Sequence, residues 1–404
     1  MADFNFTVRA TDDLGAFSER SFSVTVNNTM VTQYMVSTAQ GHLATSVDGI
    51  NWTYQLNMFN PSQGGGRIIN ANGFWLVTKN NTEYLRSTDG LNWTTHRLPT
   101  SHTFVGDTSW HPTFKHKFAY AQGKIAMISF GVPAGFGVPV PTFLSTEDGL
   151  TWTTGGRITD GSNNGASATY YFYNYQLEYG NGIWYAPTNM YNGSGYLGAK
   201  SIDGGATWTP IGYTATNNSY GFTNVSFMNG LWFASTKTRS YFISNDLVSW
   251  TEIPAPASWS TYYMFSNALY VNGRIISFPE AWDATNAGST PSGTKFPKAQ
   301  ISVDAINWTS ATGVVPTAEY TSNDGGWQAH MIGGGNQQGQ HYVSSMYHNG
   351  KILAGSRRIE QGATGLVCSV DGGDTFTAVD FKAVDSSNPA SILYMNHVRL
   401  IDTV

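Results

Sequence analysis

A short stretch that pairs a hydroxyl with a carboxylate and ends in an aromatic residue recurs along this chain of 404 residues. One copy reads SIDGGATW and begins at Ser201. We call each copy a box. The box aspartates are Asp48, Asp89, Asp148, Asp203, Asp246, Asp304 and Asp371, and the box aromatic residues are Trp52, Trp93, Trp152, Trp208, Trp250, Trp308 and Phe376. A sequence repeat with a period of roughly 40 to 50 residues indicates a propeller or a solenoid, so the boxes limit the folds that are open to this chain.

A second landmark lies between the boxes, where two apolar runs flank a two-residue turn, as in ANGFWLV from Ala71 and HNGKILA from His348. Asn-Gly between alternating apolar residues is typical of a β-hairpin, because both turn positions need positive φ. Each unit is therefore predicted to contain strands A and B around this turn, and strands C and D around the box. Seven such units predict an all-β, seven-bladed propeller of four-stranded antiparallel blades over residues 30–404.

Only six of these turns precede the seven boxes, so the first blade needs a strand from elsewhere. The segment ILYMNHVRLI, residues 392–401, matches the turn landmark and is predicted to complete the blade that starts near Tyr34. The two ends of the chain would then pair and close the ring. Strand B of this blade has two candidates, QYMVST from Gln33 and the segment from Val398 to Ile401.

The pattern Ser-x-Asp-x-Gly-x-Thr-Trp/Phe is matched in full at residues 201–208 and 369–376, and it resembles the Asp-box (BNR) repeat of sialidase-like propellers. That resemblance covers about residues 31–404 and implies a structural turn between the third and fourth strands, away from the binding face. The chemistry agrees, because a hydroxyl and a carboxylate two residues apart can accept hydrogen bonds from turn N–H groups. The box aromatic residues are expected to pack between neighbouring blades. Seven carboxylates spread around a ring cannot converge on one substrate.

Composition excludes several functional classes. The formal net charge is −5, only 12% of the residues are charged, and Lys and Arg are scattered singly, which argues against nucleic-acid binding. No apolar run reaches the ~18 residues of a membrane span, so no membrane insertion is expected. Cys368 is the only cysteine, which excludes an internal disulfide. We expect no cofactor and no metal ion, because His330, His341 and Asp324 match no ligand spacing.

Connections of variable length are predicted on the face opposite the boxes, where binding sites on repeating scaffolds are usually found. These connections carry aromatic residues with Asn, Gln and Ser around them, which suits stacking on sugar rings or docking to a protein. A role in packing the loops onto the propeller rim is the alternative. The candidate ligand-binding residues are Trp110, His111, Tyr170, Tyr171, Tyr173, Trp259, Tyr262, Tyr263, Trp282, Trp327, His330, His341 and Tyr342.

The sialidase resemblance makes glycoside hydrolysis the enzyme hypothesis. It implies an arginine cluster, an early Arg-Ile-Pro motif, an acid/base Asp and a Tyr nucleophile supported by Glu. Arg67 is followed by Ile68 and Ile69, without the proline, and the other arginines do not fall at matching places on three blades. We assign no catalytic residue and expect a non-enzymatic protein.

Residues 1–29 lie outside the repeat. FNFTVRATDDLGAFSERSFSVTV, from Phe4, alternates apolar and polar residues on both sides of a turn, which predicts a β-hairpin arm. The arm resembles the last two strands of cadherin-like or Ig-like modules of bacterial surface and bacteriophage virion proteins. Because an isolated hairpin is marginal in water, we expect it to add to a sheet of another virion protein. Packing against the side of the propeller is the alternative.

Together these features resemble a bacteriophage virion protein, located at the surface of the extracellular particle. The leading hypothesis is a tail-fibre or tail-tip subunit, in a homo- or hetero-oligomeric assembly, that binds a host surface glycan or protein through its long loops. A capsid or tail decoration protein with a purely structural role is the alternative. A sialidase-like glycoside hydrolase is the second alternative.

Overall fold

The computed structural model describes most of the predicted repeat and the N-terminal arm. Its described residues form strands and turns and contain no helix. They are residues 2–11, 13, 15–26, 34–38, 41–60, 65–103, 118–131, 140–158, 177–187, 196–212, 222–236, 240–254, 263–264, 268–278, 280–281, 299–313, 343–356, 366–379 and 392–395.

Seven antiparallel blades form a ring, which confirms the predicted seven-bladed β-propeller. Strands A of most successive blades lie next to one another, so they form the inner part of the ring, and strands D form the outer part. In the order A to D, blade 1 contains β34 (Ile392–Met395), β3 (Tyr34–Thr38), β4 (Leu43–Ser46) and β5 (Thr53–Gln55), and blade 2 contains β6 (Ile68–Ala71), β7 (Phe74–Thr78), β8 (Glu83–Ser87) and β9 (Thr94–Arg97). Blade 3 contains β11 (Ala119–Ala121), β12 (Lys124–Gly131), β13 (Val140–Thr146) and β14 (Thr153–Arg157), and blade 4 contains β15 (Glu178–Gly180), β16 (Ile183–Pro187), β17 (Tyr196–Ser201) and β18 (Thr209–Gly212).

The other three blades follow the same plan. Blade 5 contains β19 (Phe222–Met228), β20 (Leu231–Thr236), β21 (Tyr241–Ser244) and β22 (Thr251–Ile253); blade 6 contains β24 (Ala268–Val271), β25 (Arg274–Ser277), β27 (Gln300–Ser302) and β28 (Thr309–Ser310); blade 7 contains β30 (Val343–His348), β31 (Lys351–Ser356), β32 (Leu366–Ser369) and β33 (Thr375–Val379). Four short strands were not expected. They are β10 (His102–Thr103) beside β12, β29 (Thr312–Gly313) parallel to β33, and the pair β23 (Tyr263–Met264) and β26 (Glu280–Ala281).

The turns between strands A and B have the backbone conformation that the sequence predicts. At the turn of blade 2, φ is 53° for Asn72 and 77° for Gly73. Gln122 takes the place of Asn in blade 3 with the same left-handed φ of 53°. Two successive positive φ values match the right-handed twist of the flanking strands, so these turns set the register of each A–B pair.

The two ends of the chain close the ring, as predicted. Strand β34 pairs antiparallel with β3, and Val36 is the Cα partner of Met395. The C-terminal segment therefore supplies strand A of blade 1, and Tyr34–Thr38, from the first of the two candidate segments, supplies strand B. The competing segment, from Val398 to Ile401, lies outside the described residues.

The apolar core consists of clusters at the junctions between blades. The described residues contain seven such clusters, and each joins two neighbouring blades, including blades 7 and 1. Each box aromatic residue packs at the junction with the preceding blade. The indole N–H of Trp152 donates to the hydroxyl of Tyr84 at 3.0 Å, and that of Trp308 donates to the hydroxyl of Tyr241 at 2.9 Å.

The N-terminal arm is a β-hairpin, formed by β1 (Ala2–Thr11) and β2 (Phe17–Val26). Its register is continuous, from Ala2 opposite Val26 to Thr11 opposite Phe17. On its outer surface Arg9 forms an ion pair with Glu19 at 2.6 Å and lies over the ring of Phe17. Among the described residues the two strands pair only with each other.

Ring closure by β34 gives the first testable prediction. A chain that ends before Ile392 loses strand A of blade 1, which leaves the inner edge of β3 unpaired and uncovers the junction with blade 7. We expect this variant to unfold at a clearly lower temperature or to aggregate, as thermal unfolding and size-exclusion chromatography will show. A chain that ends at Met395 keeps the strand and is the matched control. Equal stability of the two variants would contradict closure by β34.

Candidate functional site

The box turn is a closed network of hydrogen bonds. In box 1 the hydroxyl of Ser46 donates to Oδ1 of Asp48 at 3.0 Å and accepts from the N–H of Gly49 at 2.8 Å. The same carboxylate oxygen accepts from the N–H groups of Ile50 and Asn51, both at 2.8 Å. The second oxygen of Asp48 accepts from the side chain of Asn51 at 2.7 Å. The carboxylate therefore satisfies turn N–H groups that no neighbouring strand reaches.

The two full-length boxes use the same residues with a wider loop. In the copy that begins at Ser201, the hydroxyl accepts from Gly205 at 2.9 Å, and Oδ1 of Asp203 accepts from the N–H of Thr207 at 2.9 Å. The hydroxyl of Thr207 donates to the other carboxylate oxygen. The five other boxes are one residue shorter, so their aspartates accept from N–H groups that are closer in sequence, two and three residues later in box 1. The aspartate still binds the backbone of the turn.

Two boxes lack the glycine and still form the turn. Leu247 and Ala305 stand in its place with φ of 66° and 60°, which costs roughly 1–2 kcal/mol for a residue other than glycine. Both side chains are fully buried in junction clusters. Burial of the Leu247 side chain, worth roughly 1.5–3 kcal/mol, offsets the backbone strain there.

Hydrogen bonding keeps the box carboxylates ionised. Donation from the backbone N–H groups of Thr151 and Leu150 lowers the pKa of Asp148 to about 2. The hydroxyl and the N–H of Thr207 lower the pKa of Asp203 to about 2. A general acid at neutral pH needs a raised pKa, so these carboxylates have the opposite electrostatics.

One face of the ring, here called the box face, carries the boxes and the A–B turns together. The side-chain amide of Asn72, in the turn of blade 2, donates to the carbonyl of Gly123 at 2.7 Å and to that of Glu147 in box 3 at 2.9 Å. Tyr34, the first residue of β3, is the Cα partner of Ser46 in box 1. Strand β3, the first strand of the propeller along the chain, therefore begins at the box face.

The opposite face, here called the loop face, is where strands B and D end and strands C and A begin. Its connections range from residues 79–82 in blade 2 to residues 311–342 between blades 6 and 7. All the candidate ligand-binding residues belong to connections that begin and end at this face. Twelve of them lie outside the described residues: Trp110, His111, Tyr170, Tyr171, Tyr173, Trp259, Tyr262, Trp282, Trp327, His330, His341 and Tyr342.

Tyr263 is the candidate whose backbone the structure describes. It lies in β23 and is the Cα partner of Ala281 in β26, the residue directly before Trp282. The connection that contains β23 runs from blade 5 to blade 6, and the connection that contains β26 joins strands B and C of blade 6. Pairing of β23 with β26 thus brings together two candidate-bearing connections that the sequence alone did not link.

Two buried polar residues at the loop face were not singled out as site residues. The ring nitrogens of His102 share hydrogen bonds with the hydroxyls of Ser129 and Thr154, at 3.0 and 2.9 Å, and burial lowers its pKa. Arg67 is buried beside β6, where its backbone N–H donates to the hydroxyl of Thr78 at 3.0 Å. A single His or Arg carries no periodic signal, so only the fold reveals these positions.

Two kinds of feature are absent from the described part of the chain. No group of three or more His, Cys, Asp or Glu residues is placed there to hold a metal ion. That part also has no helix long and apolar enough to cross a membrane.

Comparison with known proteins gives distant likenesses. No family model matches the chain, and no curated protein matches it. Among solved structures it is similar to YCF48 bound to D1 peptide, with 14% identity, coverage of 81% of this chain and 84% of that chain, and a TM-score of 0.42. It is also similar to YCF48 from Cyanidioschyzon merolae, with 11% identity, coverage of 83% of this chain and 95% of that chain, and a TM-score of 0.44. A glycosyl hydrolase from Bacteroides ovatus is 13% identical, with coverage of 70% of this chain and 88% of that chain, and a TM-score of 0.35. The propeller fold of this chain is shown by its own strand pairing.

The structural role of the boxes gives the second prediction. Asp148→Ala removes the acceptor of two backbone N–H bonds, each 2.7 Å long, and should lower the free energy of unfolding by about 1 kcal/mol at pH 7. The folded pKa of about 2 lies below the unfolded value of about 3.9, so this contribution is present above about pH 4 and is lost as pH falls towards 2. The difference between wild type and variant in urea unfolding should shrink over that range.

Glu147→Ala is the matched control. The Glu147 side chain is exposed and lies 4.0 Å from Lys124, a contact worth at most about 1 kcal/mol and often nothing measurable. A larger effect of this substitution than of Asp148→Ala would contradict the assignment of the box carboxylate to the turn.

Proposed function

We propose that this chain is a non-enzymatic virion structural protein, a tail-fibre or tail-tip subunit that binds a host surface glycan or protein through its loop face. The observation that carries the proposal is the difference between the two faces of the propeller. Strand β3 begins at the box face, where Tyr34 lies opposite Ser46, whereas the long connections begin and end at the loop face. A propeller whose first strand begins on one face and whose variable connections lie on the other suits a protein that is anchored through its N-terminal arm and binds outward.

The chemistry of the boxes supports binding rather than hydrolysis. Glycoside hydrolysis usually needs two carboxyl groups on either side of one bond, with one of them protonated. The seven box aspartates are distributed over seven blades, and hydrogen bonds lower the pKa of each. The carboxylates that dominate the repeat are therefore poorly placed for that reaction.

The aromatic residues of the loop-face connections support a glycan or protein ligand. Tyr and Trp combine a large apolar surface with a polar group, which suits both sugar stacking and protein docking. The pair β23 and β26 supports a shared surface on blade 6, because it joins the connection that carries Trp259, Tyr262 and Tyr263 to the one that carries Trp282.

The hairpin arm supports assembly with other virion proteins. Its two strands pair with each other over ten residue pairs, which leaves an outer edge on each strand for pairing with another sheet. The same feature favours the alternative function, a capsid or tail decoration protein that holds neighbouring subunits together without contacting the host.

Locating the protein in the intact particle tests the proposed function. Antibody fragments raised against the purified chain should label the tail tip or the tail fibres in electron micrographs. A regular lattice of label on the capsid would favour the decoration protein instead, and particles without label would contradict a virion role. Release of sugar from sialylated or plain host polysaccharide by the purified chain would favour the glycoside hydrolase.

The third prediction concerns the loop face. The double variant Trp259→Ala and Trp282→Ala should bind to cells that the particle infects at least about 10-fold more weakly, as expected for aromatic anchors of an interface. Binding of the labelled, purified protein to these cells is the measurement. Phe17→Ala removes an exposed aromatic residue of the arm and should bind as wild type does. Unchanged binding by the double variant would exclude blade 6 as the binding site.

The fourth prediction concerns the arm. Deletion of residues 1–29 leaves every strand of the propeller in place, so the deletion protein should fold with an unchanged unfolding temperature. It should fail to join the particle, because the strands that pair with a neighbour are gone. Incorporation is measured by complementing a particle that lacks the gene. Normal incorporation of the deletion protein would show that the arm is not the anchor.

A further inference from the structure

Among the residues whose burial the structure describes, the exposed aliphatic side chains are concentrated on the box face. Eleven large apolar side chains in this set are exposed, and nine of them belong to boxes. Every one of the seven boxes contributes at least one. They are Val47, Ile50, Leu91, Leu150, Ile202, Val248, Val303, Ile306 and Val370, here called the aliphatic ring. The most exposed are Ile202 at 77%, Val370 at 71% and Val303 at 68%.

The turn itself does not require these aliphatic residues. In box 1 the turn uses the Ser46 hydroxyl, the Asp48 carboxylate and the backbone, and the side chain of Val47 makes none of these hydrogen bonds. Box 2 forms the same network with Thr88 at the position of Val47. Apolar patches repeated around one face of a soluble protein usually indicate an interaction surface.

The described connections of the box face are too short to cover the aliphatic ring. Strands A and B of blades 2 to 7 are joined by two residues, as at Asn72 and Gly73, and strands C and D are joined by the boxes themselves. All seven boxes belong to the described residues. Within that part of the chain, the ring therefore faces solvent.

The charge of the box face favours one kind of partner. The boxes contain nine carboxylates, the seven aspartates together with Glu147 and Asp374, and contain no Lys, Arg or His. The cations beside the boxes contact box groups: Arg86 donates to the carbonyl of Asp148 at 2.9 Å, and Lys124 lies 4.0 Å from the carboxylate of Glu147. Arg274 donates to the carbonyl of Gly372 and to the carboxylate of Asp374, both at 2.7 Å, and Lys351 donates to the carbonyl of Asp48.

We propose that the box face docks a protein partner whose surface presents apolar side chains interspersed with Lys and Arg. The aliphatic ring supplies the apolar contact, and the surrounding carboxylates attract the cations and orient the partner. A second copy of this chain fits less well, because a face-to-face pair would place two acidic rings opposite each other. This proposal concerns the face opposite the loop face and does not depend on the proposed function.

Hydrogen bonding within the boxes makes this acidic face suitable for burial. A buried carboxylate is costly unless hydrogen bonds satisfy its oxygens. Both oxygens of Asp304 already accept such bonds, from the N–H groups of Ile306 and Asn307 and from the side chain of Asn307, at 2.7 to 2.8 Å. The partner therefore needs to supply long-range complementarity rather than a new set of direct bonds.

The fifth prediction tests the aliphatic ring with peptides of defined chemistry. The probe is a short synthetic peptide of alternating Leu and Lys, and its binding to the full chain is measured by fluorescence anisotropy. The triple variant Ile202→Ser, Val303→Ser and Val370→Ser should bind it about 10-fold more weakly than wild type. The double variant Phe17→Ser and Leu56→Ser removes exposed apolar side chains outside the ring, and it should bind as wild type does. Salt at about 0.5 M should weaken binding to wild type.

The other outcomes overturn the proposal. Equal binding of the peptide by wild type and the triple variant, or binding by neither, would exclude the aliphatic ring as a docking surface. Equally tight binding of a Ser–Lys peptide would show that the apolar side chains of the partner are not needed for binding. Equally tight binding of a Leu–Glu peptide would show that its cations are not needed. A wild-type dimer that the triple variant abolishes, seen by sedimentation, would identify the partner as a second copy. Because the substituted positions are exposed, thermal unfolding of all variants should match wild type.

Discussion

Packing between the faces of neighbouring blades is the interaction on which the whole structure depends. A single blade has two apolar faces and only four short strands, so it can bury both faces only between two others. In blade 3, for example, Ile125 belongs to the cluster shared with blade 2, whereas Phe143 belongs to the cluster shared with blade 4. An open array would leave one such face exposed at each end. Closure by β34 removes both ends at once, which explains why the last of the described strands belongs to the first blade.

Local chemistry made the repeating part of the fold predictable. A turn such as Asn229-Gly230 needs two residues that tolerate positive φ, and few residue types meet that requirement. The hydrogen bonds of the box are local in the same way, since a Ser hydroxyl two residues before an Asp carboxylate has turn N–H groups within reach. These features are properties of neighbouring residues, so one sequence was sufficient to predict the blades, their number and the face that carries the short turns.

The remaining features depend on contacts between distant parts of the chain. Gln33–Thr38 and Val398–Ile401 both look like a strand B, and only the position of β34 between β3 and blade 7 decides in favour of Tyr34–Thr38. The pairing of Tyr263 with Ala281 is similarly invisible to periodicity, because each strand is two residues long. Leu247 departs from the glycine pattern of the box, and its buried position at a junction makes the left-handed backbone tolerable. In each case tertiary packing outweighs the local signal.

Hydrogen bonds within each turn satisfy the box carboxylates, so the groups that stabilise the ring are not those of the loop-face connections. The hydrogen bonds of Asp48 and the packing of Trp52 lie near the box face and between blades, so substitutions in the loop-face connections leave them unchanged. A ligand-binding surface can therefore vary on the loop face without a cost to ring closure. The aliphatic side chains of the boxes follow a different logic, because they contribute little to the turn and remain exposed in all seven blades. An exposed aliphatic side chain such as that of Ile202 is not required by the turn, and it suits the docking role proposed for the box face.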